Sequence, residues 1–106
     1  MEKNRDWEAI VKKTIAQTRE EFKEIIMWFS DGAYIEPEHY FVVYIFETDA
    51  ELEAAKASGL KEKIVAFHIN KLEENGYPKD GIKTCYFNTE ETRKREGFKN
   101  WMLFYK

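Results

Sequence analysis

The chain has 106 residues, 17 basic against 20 acidic side chains and a formal charge of −3. That length bounds it to one domain with a modest core, and the mild acidity excludes a dedicated nucleic-acid binder. At 43% hydrophobic and 16% aromatic residues, the composition supports folding without disulfide or metal staples. Cys85 is the lone cysteine, so no intramolecular disulfide can form, and a reducing cytosol is the simplest compartment. The N-terminus is charged, and no apolar run approaches the ~20 residues that span a bilayer. The expectation is a soluble cytoplasmic protein that binds neither membrane nor nucleic acid.

In chain order, Asn4 or Asp6 can cap a first helix running to about Phe29. Trp7, Ile10, Val11, Ile15, Phe22, Ile25, Ile26 and Phe29 recur at three- and four-residue steps, with Lys12, Lys13, Glu20, Glu21 and Lys23 opposite. The segment Ile25 to Phe29 is apolar nearly all round. Either it is deeply buried, or the helix ends early and an extended segment begins there. Ser30-Asp31-Gly32 reads as a turn, and Ala33 to Ile35 as a short edge strand broken by Pro37.

Tyr40 to Glu47 is the central strand, β-branched and aromatic on both faces, and both faces need cover. Thr48 and Asp49 offer a helix cap, and Ala50 to Ser58 is helical up to Gly59, which either breaks or bends the helix at that point. A second helical stretch carries Leu60, Ile64, Val65, Phe67, His68, Ile69 and Leu72 on its buried side and closes at Gly76. Ile82 to Phe87 is a second strand, parallel to the first because a helical crossover joins them. Asn88 to Glu91 resembles a capping box for a short helix from Thr89 to Glu96, ended by Gly97. Phe98 to Tyr105 is a final strand. The fold class is α+β: a small mixed sheet of three to four strands with an N-terminal helix and a βαβ crossover, in the order α-(β)-β-α-β-β.

Alternation divides each strand into two sets. Phe41, Val43, Ile45, Cys85, Phe87 and Leu103 are assigned to the helix-facing core. Tyr40, Tyr44, Tyr86, Met102 and Phe104 then form an exposed aromatic face, larger than a monomer usually leaves uncovered. Tyrosine and methionine suit interfaces, so this face is expected to assemble a homodimer. The alternative is that the first helix covers it.

Glu36, Glu38, Glu47, Asp49, Glu51 and Glu53 make an acidic stretch balanced only by Lys56, a surface for a basic protein partner. The basic run Arg93-Lys94-Arg95 is flanked by Glu90, Glu91 and Glu96 and carries no nucleic-acid signal.

Catalytic chemistry has two candidates. Glu36, Glu38 and His39 bracket Pro37, and two carboxylates with an imidazole suit acid–base work or a divalent metal; the competing reading is a solvated loop keeping a sheet edge polar. His68 lies among apolar residues at helical spacing, where a hydrogen-bonded core histidine is the commoner outcome. Cys85 sits mid-strand, away from the helix terminus or cation that activates a thiol. There is no phosphate loop, zinc spacing or nucleophile motif, so neither cofactor nor metal is expected.

The leading reading is a non-catalytic protein-binding module that self-associates, with a physical profile suited to an inhibitor of the immunity or antitoxin type. That is an analogy of profile, not of sequence. The alternative is a small enzyme or ligand-binder using Glu36, Glu38, His39 and His68.

Overall fold

The structure, a computed structural model, describes residues 2–31, 40–82 and 84–97. Over these residues the chain is a small α+β fold. Its elements are α1 (Glu2–Glu21), β1 (Met27–Asp31), β2 (Phe41–Phe46), α2 (Asp49–Ser58), α3 (Leu60–Glu74), β3 (Tyr86–Thr89) and α4 (Glu90–Glu96). A 3-10 turn, Lys79–Gly81, precedes β3. The sheet order is β1-β2-β3, with β1 antiparallel and β3 parallel to the central β2.

The first helix begins at Glu2, ahead of the expected caps Asn4 and Asp6, and stops at Glu21. The apolar run after it becomes strand: Met27 pairs with Ile45 and Phe29 with Val43. Branched Ile25 and Ile26 followed by alternating residues suit a pleated ribbon better than a further helical turn. Ser30 and Asp31, expected to turn, extend β1 instead, opposite Val42 and Phe41. The expected edge strand Ala33 to Ile35 and final strand Phe98 to Tyr105 lie outside the described residues.

Parallel pairing of β2 with β3 requires a crossover, and two helices supply it. Gly59 divides them: with φ at +85° it caps the end of α2 and directly precedes α3. Such a left-handed residue breaks the helix where one with a Cβ would be strained. Thr48, rather than Asp49, caps α2: its side chain accepts the Glu51 backbone N–H, and the Glu51 carboxylate accepts that of Thr48. β3 starts later than expected, at Tyr86, because the 3-10 turn holds the chain from Lys79 to Ile82. Gly97 closes α4 as the sequence pattern predicts, but the helix starts one residue later than expected, at Glu90, with Thr89 as its cap.

Three helices share one sheet face. Val11 and Ile15 of α1, Ala55 of α2, and Ile64 and Leu72 of α3 form one core with Tyr40, Val42, Tyr44, Phe46 and Cys85. The opposite face carries a second, smaller cluster of Val43 and Ile45 packed with Phe29 and Phe41. The first helix therefore does not cover this outer face; it lies beside α3 on the inner one.

This corrects the assignment of faces along the central strand. Phe41, Val43 and Ile45 do not meet the helices, and Tyr40 and Tyr44 are not exposed; both tyrosines are buried in the helix-side core. Cys85 belongs to that core and Phe87 packs against it, as expected, but in company with Tyr44 rather than Val43. The physical reason is the tyrosine hydroxyl. Helices α1 and α3 offer polar side chains to the inner face, and the aliphatic Val43 and Ile45 need none.

Candidate functional site

Three arrangements stand out: a buried polar seam under the helices, a side-chain network where β2 and β3 end, and an apolar strip on the outer face.

The seam centres on His68. A residue on α3 four positions from both Ile64 and Leu72 shares their buried stripe, so its ring is carried into the core. Nδ1 lies 3.0 Å from the Tyr44 hydroxyl, and the ring packs edge-on against Tyr44 and tilted against Tyr40. Thr18 of α1 lies beside the Tyr44 phenol, and its hydroxyl donates at 2.8 Å to the Thr14 carbonyl. A consistent proton order runs from His68 Nδ1–H to Tyr44 Oη and, beside it, from the Thr18 hydroxyl to the Thr14 carbonyl. It leaves His68 Nε2, which has no partner among the described residues, as a bare acceptor rather than an orphaned donor, the cheaper of the two. At the far end of the seam, Asn75 Nδ2 donates to Thr14 Oγ1 and Gln17 Oε1, both at 3.0 Å.

Burial governs the acid–base character here. It lowers His68 from 6.5 to about 4 and pushes the Cys85 thiol up to about 12. It also raises the Tyr44 phenol far above its ordinary range, although the neighbouring Thr18 hydroxyl opposes this. The imidazole is enclosed and its neutral form favoured, and the buried thiol is held protonated. His68 is thus a buried core histidine with one of its two ring nitrogens hydrogen-bonded among the described residues. Its partners in the catalytic reading, Glu36, Glu38 and His39, lie outside the described residues.

The second arrangement ties α2 to α4. Parallel strands β2 and β3 each end in a threonine cap, so the starts of two helices lie side by side. The Thr89 hydroxyl donates to Asp49 Oδ1, and its oxygen accepts the Thr92 backbone N–H at 3.0 Å. Thr92 Oγ1 donates to the same Asp49 oxygen at 3.1 Å, while Arg95 reaches the other carboxylate oxygen at 2.9 Å. Glu91 accepts the Asp49 backbone N–H at 2.8 Å. The Thr89 hydrogen bond, then Arg95, hold the Asp49 carboxyl below its ordinary value.

Much of the acidic surface is therefore committed to the fold. Asp49 faces Arg95, Glu51 closes the capping box and Glu53 pairs with Lys56 at 3.4 Å. Glu47, Glu51 and Glu53 remain solvent-exposed, while Glu36 and Glu38 lie outside the described residues. Among the described residues no group of His, Cys, Asp and Glu is placed to hold a metal ion, and no helix is long and apolar enough to cross a membrane.

The outer face carries the third arrangement. Phe29, Phe41 and Tyr86 form a ladder of rings across all three strands, with centroids 6.3 Å apart for the first pair and 5.4 Å for the second. Beneath it Val43 and Ile45 are buried. Tyr86, opposite Val43, is 50% exposed, and Met27, opposite Ile45, is 41% exposed. Of the residues expected at the interface, only Tyr86 is placed here; Tyr40 and Tyr44 are interior, and Met102 and Phe104 lie outside the described residues.

Sequence reasoning missed Met27 and Phe29 as outer-face residues because it left Ile25 to Phe29 open between a last helical turn and an extended segment. It also missed Thr14, Thr18, Thr89 and Thr92 because a threonine carries no strong positional signal. Thr14 and Thr18, four apart beside Val11, Ile15 and Phe22, were the available clue. No protein-family model matches the chain, and no curated protein or solved structure is significantly similar to it.

Proposed function

We propose that the protein is a non-catalytic protein-binding module that self-associates through the outer face of its sheet. The observation that carries this reading is the ring ladder Phe29–Phe41–Tyr86, flanked by Met27, with Tyr86 and Met27 among the few large apolar side chains that remain exposed. Tyrosine and methionine are enriched where protein surfaces meet. Met27, Phe29, Phe41, Val43, Ile45, Tyr86 and Asn88 make the middle of this face uncharged, with Asp31, opposite Phe41, at the end of β1. A two-fold contact between copies of the chain places the same strip on both sides. The sequestered His68 and Cys85 support a non-catalytic role. The lone buried thiol also suits a reducing, cytoplasmic setting.

The test is light scattering during size-exclusion chromatography of the wild type and of a variant carrying Met27→Glu and Tyr86→Glu. Both side chains are exposed, so the variant keeps its circular dichroism spectrum, and it elutes as a monomer where the wild type is a dimer. Equal masses for the two proteins contradict the proposal.

A basic partner at the acidic end is a second reading, motivated by the exposed Glu47, Glu51 and Glu53. The inhibitor-type role rests on that surface. It requires a binding affinity that falls steeply with added salt and falls again in Glu47→Gln and Glu53→Gln variants.

A further inference from the structure

We propose that His68 is an acid-sensitive latch, whose protonation releases α1 and α3 from the inner face of the sheet. Geometry is the ground for it. His68 and Tyr44 are both 0% exposed, at the place where α1, α3 and β2 meet. A neutral imidazole fits this site with one hydrogen bond. An imidazolium has two N–H donors, of which Nδ1 finds Tyr44 Oη at 3.0 Å and Nε2 finds no acceptor among the described residues. A charge there would be both unpaired and half unsatisfied in the middle of the core.

Among the described residues nothing around the ring compensates that charge. Helix α1 contributes the hydroxyls of Thr14 and Thr18, β2 contributes Tyr44, and the residue before it contributes Tyr40, against which Tyr77 packs. Cys85 is the remaining titratable neighbour of Tyr44, and its thiol stays protonated. On α3 itself, Lys71 turns away to the Phe67 ring and Glu74. Burial is the one cause that acts on His68, with no carboxylate offsetting it.

The sign is set by linkage. A histidine depressed in the folded state binds its proton more tightly when unfolded, so stability is complete above pH 6.5 and drains away as pH falls toward about 4. Across that window the folding constant falls by about two orders of magnitude. This separates the latch from Asp49, whose contribution is lost only below the ordinary carboxylate range. Opening the latch uncovers Val42, Tyr44 and Phe46, an apolar face that the neutral protein keeps closed.

The experiment tracks the histidine ring resonances by NMR as a function of pH, with His39→Gln used to assign His68, alongside tryptophan fluorescence. Trp7 and Trp28 both pack against the helix-side core and report its opening. The latch predicts that His68 stays neutral well below pH 6 and that native fluorescence is lost as it charges. It also predicts that His68→Gln keeps native fluorescence to a pH at least one unit lower than the wild type. Should that variant fail to fold at neutral pH, Tyr44→Phe with His68→Leu, which removes both polar partners, takes its place with the same expectation. Titration of His68 near 6.5 with native signals intact overturns the proposal, as does an unchanged acid transition in the folded variant.

Discussion

Removing the Tyr44 hydroxyl is the sharpest probe of the buried seam. Tyr44→Phe keeps the ring and its contacts with His68 and Phe87 but removes the oxygen that meets both His68 Nδ1 and Thr18. Both partners are 0% exposed, so neither can turn to water. A buried polar group left without its partner costs about 1–3 kcal/mol, and His68 Nδ1 is stranded here while Thr18 still donates to the Thr14 carbonyl. The expected loss is about 2 kcal/mol, or a fall in melting temperature of roughly 10 °C for a domain of this size. Urea unfolding monitored by fluorescence measures it, with an unchanged m-value if the unfolded state is unaffected. The double variant Tyr44→Phe with His68→Leu should lose less than the sum of its parts, by about 1 kcal/mol or more. A Tyr44→Phe variant within about 0.5 kcal/mol of wild type, or strict additivity, would refute the hydrogen-bonded seam.

Other positions give independent checks. Gly59→Ala places a Cβ on a residue at φ +85° with nothing within 4 Å to collide with, so the cost is backbone strain alone. Thermal unfolding should show a loss of about 1 kcal/mol. Thr89 is 1% exposed and caps α4 while bonding Asp49, so Thr89→Val should cost about 1–2 kcal/mol by urea unfolding, and Thr89→Ser should recover most of it. Asp49 is held below its ordinary value when folded, so its contribution is present above the unfolded value near 3.8 and lost as pH falls through the folded one. Acid unfolding of Asp49→Asn should therefore be less steep than wild type below pH 4, with stability at pH 7 reduced. In each case an unaltered curve contradicts the assigned contact.

How far the fold was readable depended on the kind of signal. The glycine stop at Gly97 was legible, whereas Gly59 was left open between a break and a bend until its left-handed backbone decided it. Parallel pairing of β2 and β3 came from the length of the crossover. The end of α1 was ambiguous because Ile25 to Phe29 satisfies both helical and extended patterns, and only pairing of Met27 and Phe29 with β2 decides it. Face assignment along β2 failed for a related reason. Alternation states which residues travel together, not which set meets the helices, and Phe41, Val43 and Ile45 are as apolar as Val42, Tyr44 and Phe46. The deciding feature was polar: His68 stands where the Tyr44 hydroxyl reaches its Nδ1 at 3.0 Å. Of the acidic residues, sequence foresaw charge but not its use, since the Asp49–Arg95 pair spans elements far apart in the chain.

Self-association through the outer sheet face is the central claim, and sedimentation velocity of the wild type over a wide concentration range tests it most directly. The expected result is a monomer–dimer equilibrium whose sedimentation coefficient rises with concentration. A single monomeric species at every concentration would contradict it.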